Sequence, residues 1–246
     1  MAVVADRLFE TEKVRVYVES HAGYPEYTLS PGGEWAGGVG KLWPHREELA
    51  EYSYFQILSD LNPAELERYP GSASIVIELA KRRGLALRAE LWDNSPEVER
   101  AWRSREKGRN LSDPHFHLGD GFSGAGKLTN DLNEPALLLV DSPYIAESDA
   151  ALVEDLISRS AQAGWVALSW QMIGSVQSPK PACDYREFAL RFNEAGLVCG
   201  SWGGATMILA WDWENFPDPM MNNLVERLER IEEDFPKIAA RMSESF

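Results

Sequence analysis

The sequence of 246 residues has few of the features that mark secreted, membrane or metal-binding proteins. Only two cysteines occur, Cys183 and Cys199, and neither belongs to a ligand-spaced cluster, so no disulfide framework and no structural zinc site is expected. No apolar run approaches the roughly 20 residues that a membrane-spanning helix needs, and the first residues lack the layout of a signal peptide. We therefore expect a cytoplasmic monomer with no membrane partner.

Basic residues are also scarce: 24 Lys and Arg stand against 39 Asp and Glu, which gives a net charge of −15. Such a surface repels phosphate backbones and disfavours broad nonspecific binding of nucleic acid. Residues 81–109 differ, with nine basic and five acidic side chains. This segment is either a phosphate-binding patch or a solvated helix face. The hydrophobic fraction of 44% supplies a large core and excludes disorder.

Apolar runs of strand length alternate with helical patterns, which is typical of an α/β protein with a mostly parallel sheet. Seven strands are predicted, the last two as a hairpin, at residues 14–19, 85–92, 115–118, 136–141, 165–170, 197–202 and 205–211. Helices are predicted at residues 72–83, 97–107, 148–163, 185–195 and 221–242. A Gly-rich stretch followed by a helical pattern at 46–61 predicts a helical insertion, residues 30–69, within a single domain spanning 1–246.

The strongest functional motif is Asp141-Ser142-Pro143-Tyr144, directly after the apolar run ALLLV. Open α/β sheets bind ligands at the carboxyl ends of their strands, so this tetrapeptide lies where a site is expected. It resembles the (D/N)PPY motif of amino-group methyltransferases, in which the acidic residue and a backbone carbonyl orient the amine of a base. The aromatic residue of that motif stacks on the base. A strand-end turn with a half-buried Tyr144 is the structural alternative.

Small or acidic residues follow three further predicted strands. The first strand leads into Glu19-Ser20-His21-Ala22-Gly23, where small residues let the backbone approach a ligand. Glu90 lies near the end of the second strand, where a carboxylate can accept hydrogen bonds from two ribose hydroxyls. Asp120, followed by Gly121, comes after the third strand and offers an acceptor to an adenine amine. Four such strand ends predict a common nucleoside site.

Taken together, these motifs resemble the bacterial 23S rRNA adenine-N6 methyltransferases of the RlmJ type. The resemblance covers nearly the whole chain, through residues 19–29, 38–43, 69–72, 89–91, 119–122, 141–144, 204–208 and 221–223. It implies a Rossmann-like fold that uses S-adenosyl-L-methionine and methylates an adenine of RNA. It also implies two sets of contacts: with the cofactor by His21, Gly23, Ser72, Glu90, Asp120, Gly121 and Asp141, and with the acceptor base by Asp141, Ser142, Pro143 and Tyr144.

The chain also departs from this family. Ser142 replaces the first proline of the DPPY loop, Tyr24-Pro25 replaces small residues after Gly23, and most of the basic segment that precedes the family's first strand is missing. These departures and the acidity leave two alternatives open. One is a small amine-bearing molecule as acceptor, and the other is a binding module without activity.

Several other residues carry less specific signals. Ser72 is alternatively a plain helix cap. His115 and His117 are expected to be an ordinary strand pair rather than metal ligands, so no metal is predicted. Four tryptophans near late strand ends either line an aromatic pocket or pack in the core: Trp170, Trp202, Trp211 and Trp213.

Overall fold

The computed structural model describes residues 1–104, 114–144, 146, 148–173, 179–192, 203–212, 214, 216 and 218–243. Strands β1 to β9 are Val16–Glu19, Glu26–Thr28, Arg68–Pro70, Arg88–Asp93, His115–Leu118, Ala136–Val140, Val166–Met172, Tyr185–Arg191 and Gly204–Ala210. Helices α1 to α8 are Ala2–Glu10, Val39–Leu42, Ser53–Leu61, Ser72–Arg82, Pro96–Ser104, Gly121–Asp131, Asp149–Gln162 and Asp218–Ser243.

Seven of the strands form one sheet in the order β5-β4-β1-β6-β7-β9-β8. The neighbours from β5 to β7 are parallel, and β9 is antiparallel to both β7 and β8. The central strand β6 is buried along its whole length, as a parallel strand covered on both faces must be. The predicted α/β class with a seven-stranded, mostly parallel sheet is therefore confirmed.

Helices cover both faces of this sheet, and each face has its own core. On one face, buried residues of α1, α4, α5 and α8 pack against β1 and β4, with Tyr17 and Leu91 pointing toward them. On the other face, α6 and α7 pack against Val16, Val18 and Leu138. Because side chains alternate along a strand, β1 contributes to both cores and anchors the centre of the fold.

The helix predicted at residues 185–195 is wrong over its described part, residues 185–191, and residues 193–195 lie outside the described residues. The structure has the strand β8 there, paired antiparallel with β9. Its apolar residues have a spacing that suits a helix, but pairing at the sheet edge overrides this local preference. Phe188 is its only buried residue, and the amide of Ala189 donates to the Glu232 carboxylate of α8 at 2.7 Å. The strand predicted at 197–202 lies outside the described residues, and the described partners of β9 are β7 and β8.

The region after β1 includes residues 30–69, for which a helical insertion is predicted. It starts with the short strand β2, which pairs antiparallel with β3 in a separate two-stranded sheet. Between them lie α2, α3 and two short 3-10 helices, Glu34–Gly37 and Trp43–His45. The helix predicted at 46–61 is confirmed only over its second half, since α3 begins at Ser53. None of the described helices is both long and apolar enough to cross a membrane.

Candidate functional site

Four strand ends meet where the strand order changes direction. From β1 the sheet extends through β4 and β5 on one side and through β6 on the other. Backbone hydrogen bonds join the segments that follow: the Ser20 amide donates to the Leu139 carbonyl at 3.1 Å, and the Ala22 amide to the Trp92 carbonyl at 2.9 Å. This edge is the topological switch point, where open α/β sheets bind their ligands.

The last residue of β1, Glu19, is fully buried at this edge. The Tyr17 hydroxyl donates to its carboxyl at 2.6 Å, and the Ser72 hydroxyl donates to the other oxygen. Burial outweighs both hydrogen bonds and raises the pKa of Glu19 to about 8, so the group is largely protonated at neutral pH. Ser72 is the first residue of α4 but makes no capping hydrogen bond. The plain-cap alternative is therefore wrong for Ser72.

The turn after β1 approaches its neighbours too closely for ordinary side chains. Gly23 has a φ of 58°, in the left-handed region, and a Cβ there would lie 2.6 Å from the Tyr27 hydroxyl oxygen. Its amide donates to the Asp93 carboxylate at 3.1 Å, and its carbonyl accepts from the Trp102 indole at 2.9 Å. These contacts fix the loop over the end of β4.

Asp120 and Gly121 connect β5 to α6. The Asp120 carboxylate caps that helix, accepting from the amides of Phe122 at 2.9 Å and Ser123 at 3.3 Å. A Cβ on Gly121 would collide with the Ser20 carbonyl oxygen. Glycine is thus required at 121, because the start of α6 lies directly against the turn after β1.

The His21 side chain occupies the same corner. Its ring packs edge-to-face on Phe122 with centroids 4.8 Å apart, and its Nδ1 lies 2.9 Å from the Ser20 hydroxyl. Burial lowers the pKa of His21, while the charges of Asp93 and Asp120 oppose that shift. His21 is therefore predominantly neutral at neutral pH and lies close to both carboxylates.

Asp141, directly after β6, is a half-buried carboxylate. No group in the described part of the chain hydrogen-bonds to it, and burial raises its pKa to about 6. Its charge is close enough to raise the pKa of five neighbouring groups, those of Tyr17, Glu19, Tyr27, Tyr69 and Tyr144. A desolvated acceptor of this kind is suited to receive a donor from a ligand.

The rest of the motif forms a tight turn. Ser142 is 2% exposed, and its hydroxyl accepts the Tyr144 amide at 3.3 Å. Tyr144 has a φ of 50°, which is uncommon for a residue with a side chain and marks a constrained position. Its ring packs partly against the core, and burial raises the pKa of its phenol. Pro143 is exposed.

Glu90 does not join this cluster. Its carboxylate is held by Arg88 at 2.6 Å, His115 at 2.9 Å and His117 at 2.6 Å, and these hydrogen bonds outweigh burial and lower its pKa. It lies three residues before the end of β4, and alternation places it on the sheet face opposite to Leu91. A carboxylate engaged in this way does not fit the predicted ribose contact.

Sequence reasoning missed two residues of the cluster, Asp93 and Glu19. Asp93 is the last residue of β4, and its carboxylate also accepts the Ser95 amide at 2.8 Å. The signal in the sequence that could have identified Asp93 is its position. The predicted strand 85–92 ends one residue too early, and Asp93, which follows it, is the acidic residue that reaches the edge of the sheet. For Glu19, the sequence predicts a place at the turn after the first strand and no role for its carboxyl group.

The remaining candidates lie away from the cluster or outside the described residues. His115 and His117 are hydrogen-bonded to Glu90, and no group of three His, Cys, Asp or Glu among the described residues is placed to hold a metal ion. Trp211 is 2% exposed and packs in the core, whereas Trp170 is half-buried on β7. Trp202 and Trp213 fall outside the described part of the chain.

The basic segment is largely neutralised where it is described. Arg100 and Arg103 pair with glutamates of their own helix, α5, at 2.8 Å each. Arg82 and Arg83 pair with carboxylates of neighbouring helices. This pattern is typical of a solvated, salt-bridged face. Arg105, Lys107 and Arg109 lie outside the described residues.

Comparison with solved structures agrees with the fold. The protein LPL1258 of Legionella pneumophila, of the DUF519 family, has a TM-score of 0.73 at 17% identity over 96% of this chain and 90% of that chain. An O-methyltransferase from Bacillus cereus in complex with SAH has a TM-score of 0.44 at 13% identity, covering 85% and 80%. An rRNA methylase from Streptococcus thermophilus has a TM-score of 0.39 at 10% identity, covering 86% and 97%.

The strand order, with β9 inserted antiparallel between β7 and β8, defines the Rossmann-like fold of S-adenosylmethionine-dependent methyltransferases. Within this class, the family model described as "Ribosomal RNA large subunit methyltransferase D, RlmJ" matches residues 12–173. The chain therefore belongs to the RlmJ family of ribosomal RNA methyltransferases, and its cofactor is S-adenosylmethionine. No curated protein matches the sequence.

Proposed function

We propose that this protein transfers a methyl group to the exocyclic N6 amine of an adenine in large-subunit ribosomal RNA. The observation that carries this proposal is the Asp141 carboxylate, which is half-buried at the switch point and has no hydrogen-bond partner in the described part of the chain. A family membership that specifies ribosomal RNA supports the acceptor class. The reaction would then take place in the cytoplasm, where ribosomes are assembled.

The cluster fits the cofactor at each of its strand ends. Gly23 and Gly121 have no room for side chains, and such glycines let backbone approach a nucleoside closely. We assign the ribose hydroxyls to Asp93 rather than to Glu90, because Asp93 lies at the end of β4 beside the Gly23 loop. Asp120, the cap of α6, would accept from the adenine amine of the cofactor.

The methionine end of the cofactor would lie at the start of α4. There the backbone amides of the first turn, including that of Ser72, supply donors, and a helix N-terminus favours a carboxylate. The neutral state of Glu19 beneath Ser72 avoids a second negative charge at this position. His21, uncharged and packed on Phe122, would complete the wall of the pocket.

When bound, S-adenosylmethionine supplies an electrophilic methyl group on a sulfonium. Asp141 would accept a hydrogen bond from the acceptor amine, orient its lone pair and stabilise the positive charge that develops on the nitrogen. The Ser142 carbonyl would accept the second amine proton, and Tyr144 would stack on the base beside Pro143. Catalysis would depend mainly on this alignment, because positioning two reactants removes a large entropic part of the barrier.

A small amine-bearing molecule is the second candidate acceptor. The observation that favours it is charge: the cluster contains Asp93, Asp120 and Asp141, the net charge is −15, and the described basic residues near α5 are ion-paired. A surface with this negative charge does not attract the phosphate groups of RNA. The two acceptors share the same chemistry at Asp141 and differ in what holds the rest of the substrate.

Methyl incorporation distinguishes these candidates. Wild type, Asp141→Asn and the control Asp155→Asn would be incubated with methyl-labelled S-adenosylmethionine and either unmodified large-subunit rRNA fragments or adenine nucleotides. Asp155 is a surface residue paired with Arg159 at 2.6 Å, so its change leaves the site intact. We expect label in the rRNA, lost at Asp141→Asn and kept at Asp155→Asn. Label in the nucleotides alone would replace the RNA acceptor by a small molecule.

A further inference from the structure

Two exposed tyrosines stand side by side at the edge of the cluster. Tyr24 is 38% exposed and Tyr27 is 42% exposed, although both are large aromatic residues. Their ring centroids are 5.7 Å apart, and the ring planes lie at 75° to each other, so the pair forms an L-shaped aromatic corner. Two exposed aromatic rings in contact form a contiguous apolar patch, and such patches are typical of surfaces that contact a ligand.

The corner is held in place by its neighbours. The Tyr24 amide donates to the Tyr27 hydroxyl at 3.1 Å. This hydrogen bond fixes the Tyr27 ring relative to the backbone of Tyr24. The Pro25 carbonyl between them accepts from the Gly71 amide at 3.0 Å and from the Ser74 hydroxyl at 2.6 Å. An aromatic surface that is ordered before binding loses little conformational entropy when a flat ligand stacks on it.

The corner is continuous with the site. The Tyr27 hydroxyl lies against Gly23, and the phenol is close enough to Asp141, Glu19 and Asp93 for their charges to act on it. A substrate segment that extends from the acceptor position can therefore reach the two rings. The aromatic corner therefore lies next to the acceptor position. It is separate from Asp141 and Tyr144, which would contact the methylated base.

The charges around the corner favour a base over a phosphate. The neighbouring strand ends carry carboxylates, and Arg68, beside Tyr27 in the β2–β3 pair, is engaged with Glu26 at 3.5 Å and with the Leu61 carbonyl at 2.7 Å. Base stacking on aromatic rings does not depend on charge neutralisation. An acidic methyltransferase can thus hold an RNA strand mainly through its bases.

We infer that Tyr24 and Tyr27 form a stacking platform for the nucleobase adjacent to the acceptor adenine on a single-stranded RNA segment. This inference rests on the proposed function, because it needs an RNA acceptor. The platform holds the strand by stacking, so that its affinity depends on the neighbouring base and changes little with salt.

The test uses fluorescein-labelled single-stranded RNA pentanucleotides with a central adenosine. One has normal neighbours, and two others have an abasic residue on the 5′ or the 3′ side of the adenosine. Binding to wild type, Tyr24→Leu, Tyr24→Phe and the control Tyr185→Leu on edge strand β8 is measured by fluorescence anisotropy. Far-ultraviolet circular dichroism checks that each variant is folded.

We expect Tyr24→Leu to bind the normal pentanucleotide about tenfold more weakly and Tyr24→Phe to bind within about twofold of wild type. One abasic pentanucleotide should bind wild type about as weakly as the normal one binds Tyr24→Leu, with no further loss on combining the two changes. Raising the salt from roughly 50 to 200 mM should weaken wild-type binding far less than the 10³-fold or more of a phosphate-dominated complex.

Equal affinity of wild type for normal and abasic pentanucleotides would overturn the platform, even if Tyr24→Leu failed to fold. Methylation of rRNA by wild type, measured in parallel, separates the two proposals. If wild type methylates rRNA and no neighbouring base matters, only the platform is wrong. If the neighbouring base matters but no RNA is methylated, the proposed reaction is wrong, and the two rings stack on a base of bound RNA that does not neighbour an acceptor adenine. A wild type that neither binds nor methylates RNA contradicts both.

Discussion

Two carboxyl groups at neighbouring strand ends, those of Glu19 and Asp141, have raised pKa values for the same reason, which is burial. Their roles nevertheless differ. Glu19 has two hydroxyl donors and a pKa of about 8, so it is a neutral structural group beneath α4 at pH 7. Asp141 has a pKa of about 6 and no hydrogen-bond donor from the described residues, so it is ionised and available at pH 7.

Activity should follow the ionisation of Asp141. The carboxylate form accepts the amine hydrogen bond, so the methylation rate of wild type should fall as the pH drops through about 6. Asp141→Asn should lower the rate about 100-fold or more at neutral pH, since positioned acid–base groups contribute at least that much. Pre-steady-state methyl transfer across this pH range checks both statements. A wild-type profile without a transition near the pKa of Asp141 would contradict the assigned role.

The matched pair Asp93 and Glu90 tests which acid of β4 faces the cofactor. Asp93→Asn should weaken binding of S-adenosylhomocysteine about tenfold, because a neutral amide is a poorer acceptor for two hydroxyls. Glu90→Gln should leave this affinity unchanged but cost about 1–3 kcal/mol of stability, because the buried carboxylate is lost as hydrogen-bond partner of Arg88, His115 and His117. Calorimetry with the nucleoside and urea unfolding give the two readouts. The reverse pattern would restore Glu90 as the ribose ligand.

At the scale of secondary structure elements, prediction succeeded where burial and local pattern agree. The run ALLLV is apolar at every position and became the central strand β6, and the motif that follows it lies at the switch point as expected. Residues 185–191 failed for the opposite reason. Their helical spacing of apolar residues is a local signal, whereas their strand pairing with β9 and contact with Glu232 are tertiary.

The candidate site could be predicted from the sequence as a set of strand ends, but not as the individual residues that reach the edge of the sheet. The sequence places Glu90 and Asp93 three residues apart, but which one reaches the edge depends on the register of β4 against β1 and β5, where Glu19 aligns with Leu91 and Glu90 with His115. No local pattern encodes that register. The partners of Glu19 are likewise brought together by the fold, since Ser72 is far from it in sequence.

Helix α6 should tolerate no side chain at its first residue. Gly121→Ala forces a methyl group against the Ser20 carbonyl and should cost about 1–3 kcal/mol, with weaker binding of S-adenosylhomocysteine as the turn after β1 shifts. Gly203→Ala is the control, because a Cβ at that position meets no atom within 4 Å. Thermal unfolding and calorimetry compare the two. Equal stability of both variants would show that α6 does not press on the turn.

For the whole molecule, the raised pKa values of Glu19 and Asp141 make stability depend on pH in an unusual direction. Between its unfolded and folded pKa values each group binds a proton in the folded state only, so stability falls as the pH rises. Each group contributes about 1.4 kcal/mol per pH unit in its window. The stability that Asp141 contributes is lost as the pH rises to about 6, and that of Glu19 is lost as the pH rises to about 8. Glu90, with a lowered pKa, loses its stabilisation only as acid protonates it.

The lowered pKa values of the Met1 amino group and of His21 act in the opposite direction, so the contribution of Glu19 is measured as a difference between two proteins. Urea unfolding of wild type and Glu19→Gln at about pH 5, 6.5 and 8 gives this difference. Between about pH 6.5 and 8 wild type should lose stability relative to Glu19→Gln, because only wild type has the raised pKa of Glu19. If the two proteins change in parallel over this interval, Glu19 does not contribute to the pH dependence.

The central claim, that the strand ends around Asp141 methylate adenine N6 of ribosomal RNA, is tested most directly by identifying the methylated nucleoside. Unmodified large-subunit rRNA would be incubated with S-adenosylmethionine and wild type or Asp141→Asn, digested to nucleosides and analysed by liquid chromatography with mass spectrometry. We predict N6-methyladenosine with wild type and at most a trace with the variant. A different methylated nucleoside, or none from a folded enzyme that binds S-adenosylhomocysteine, would contradict the claim.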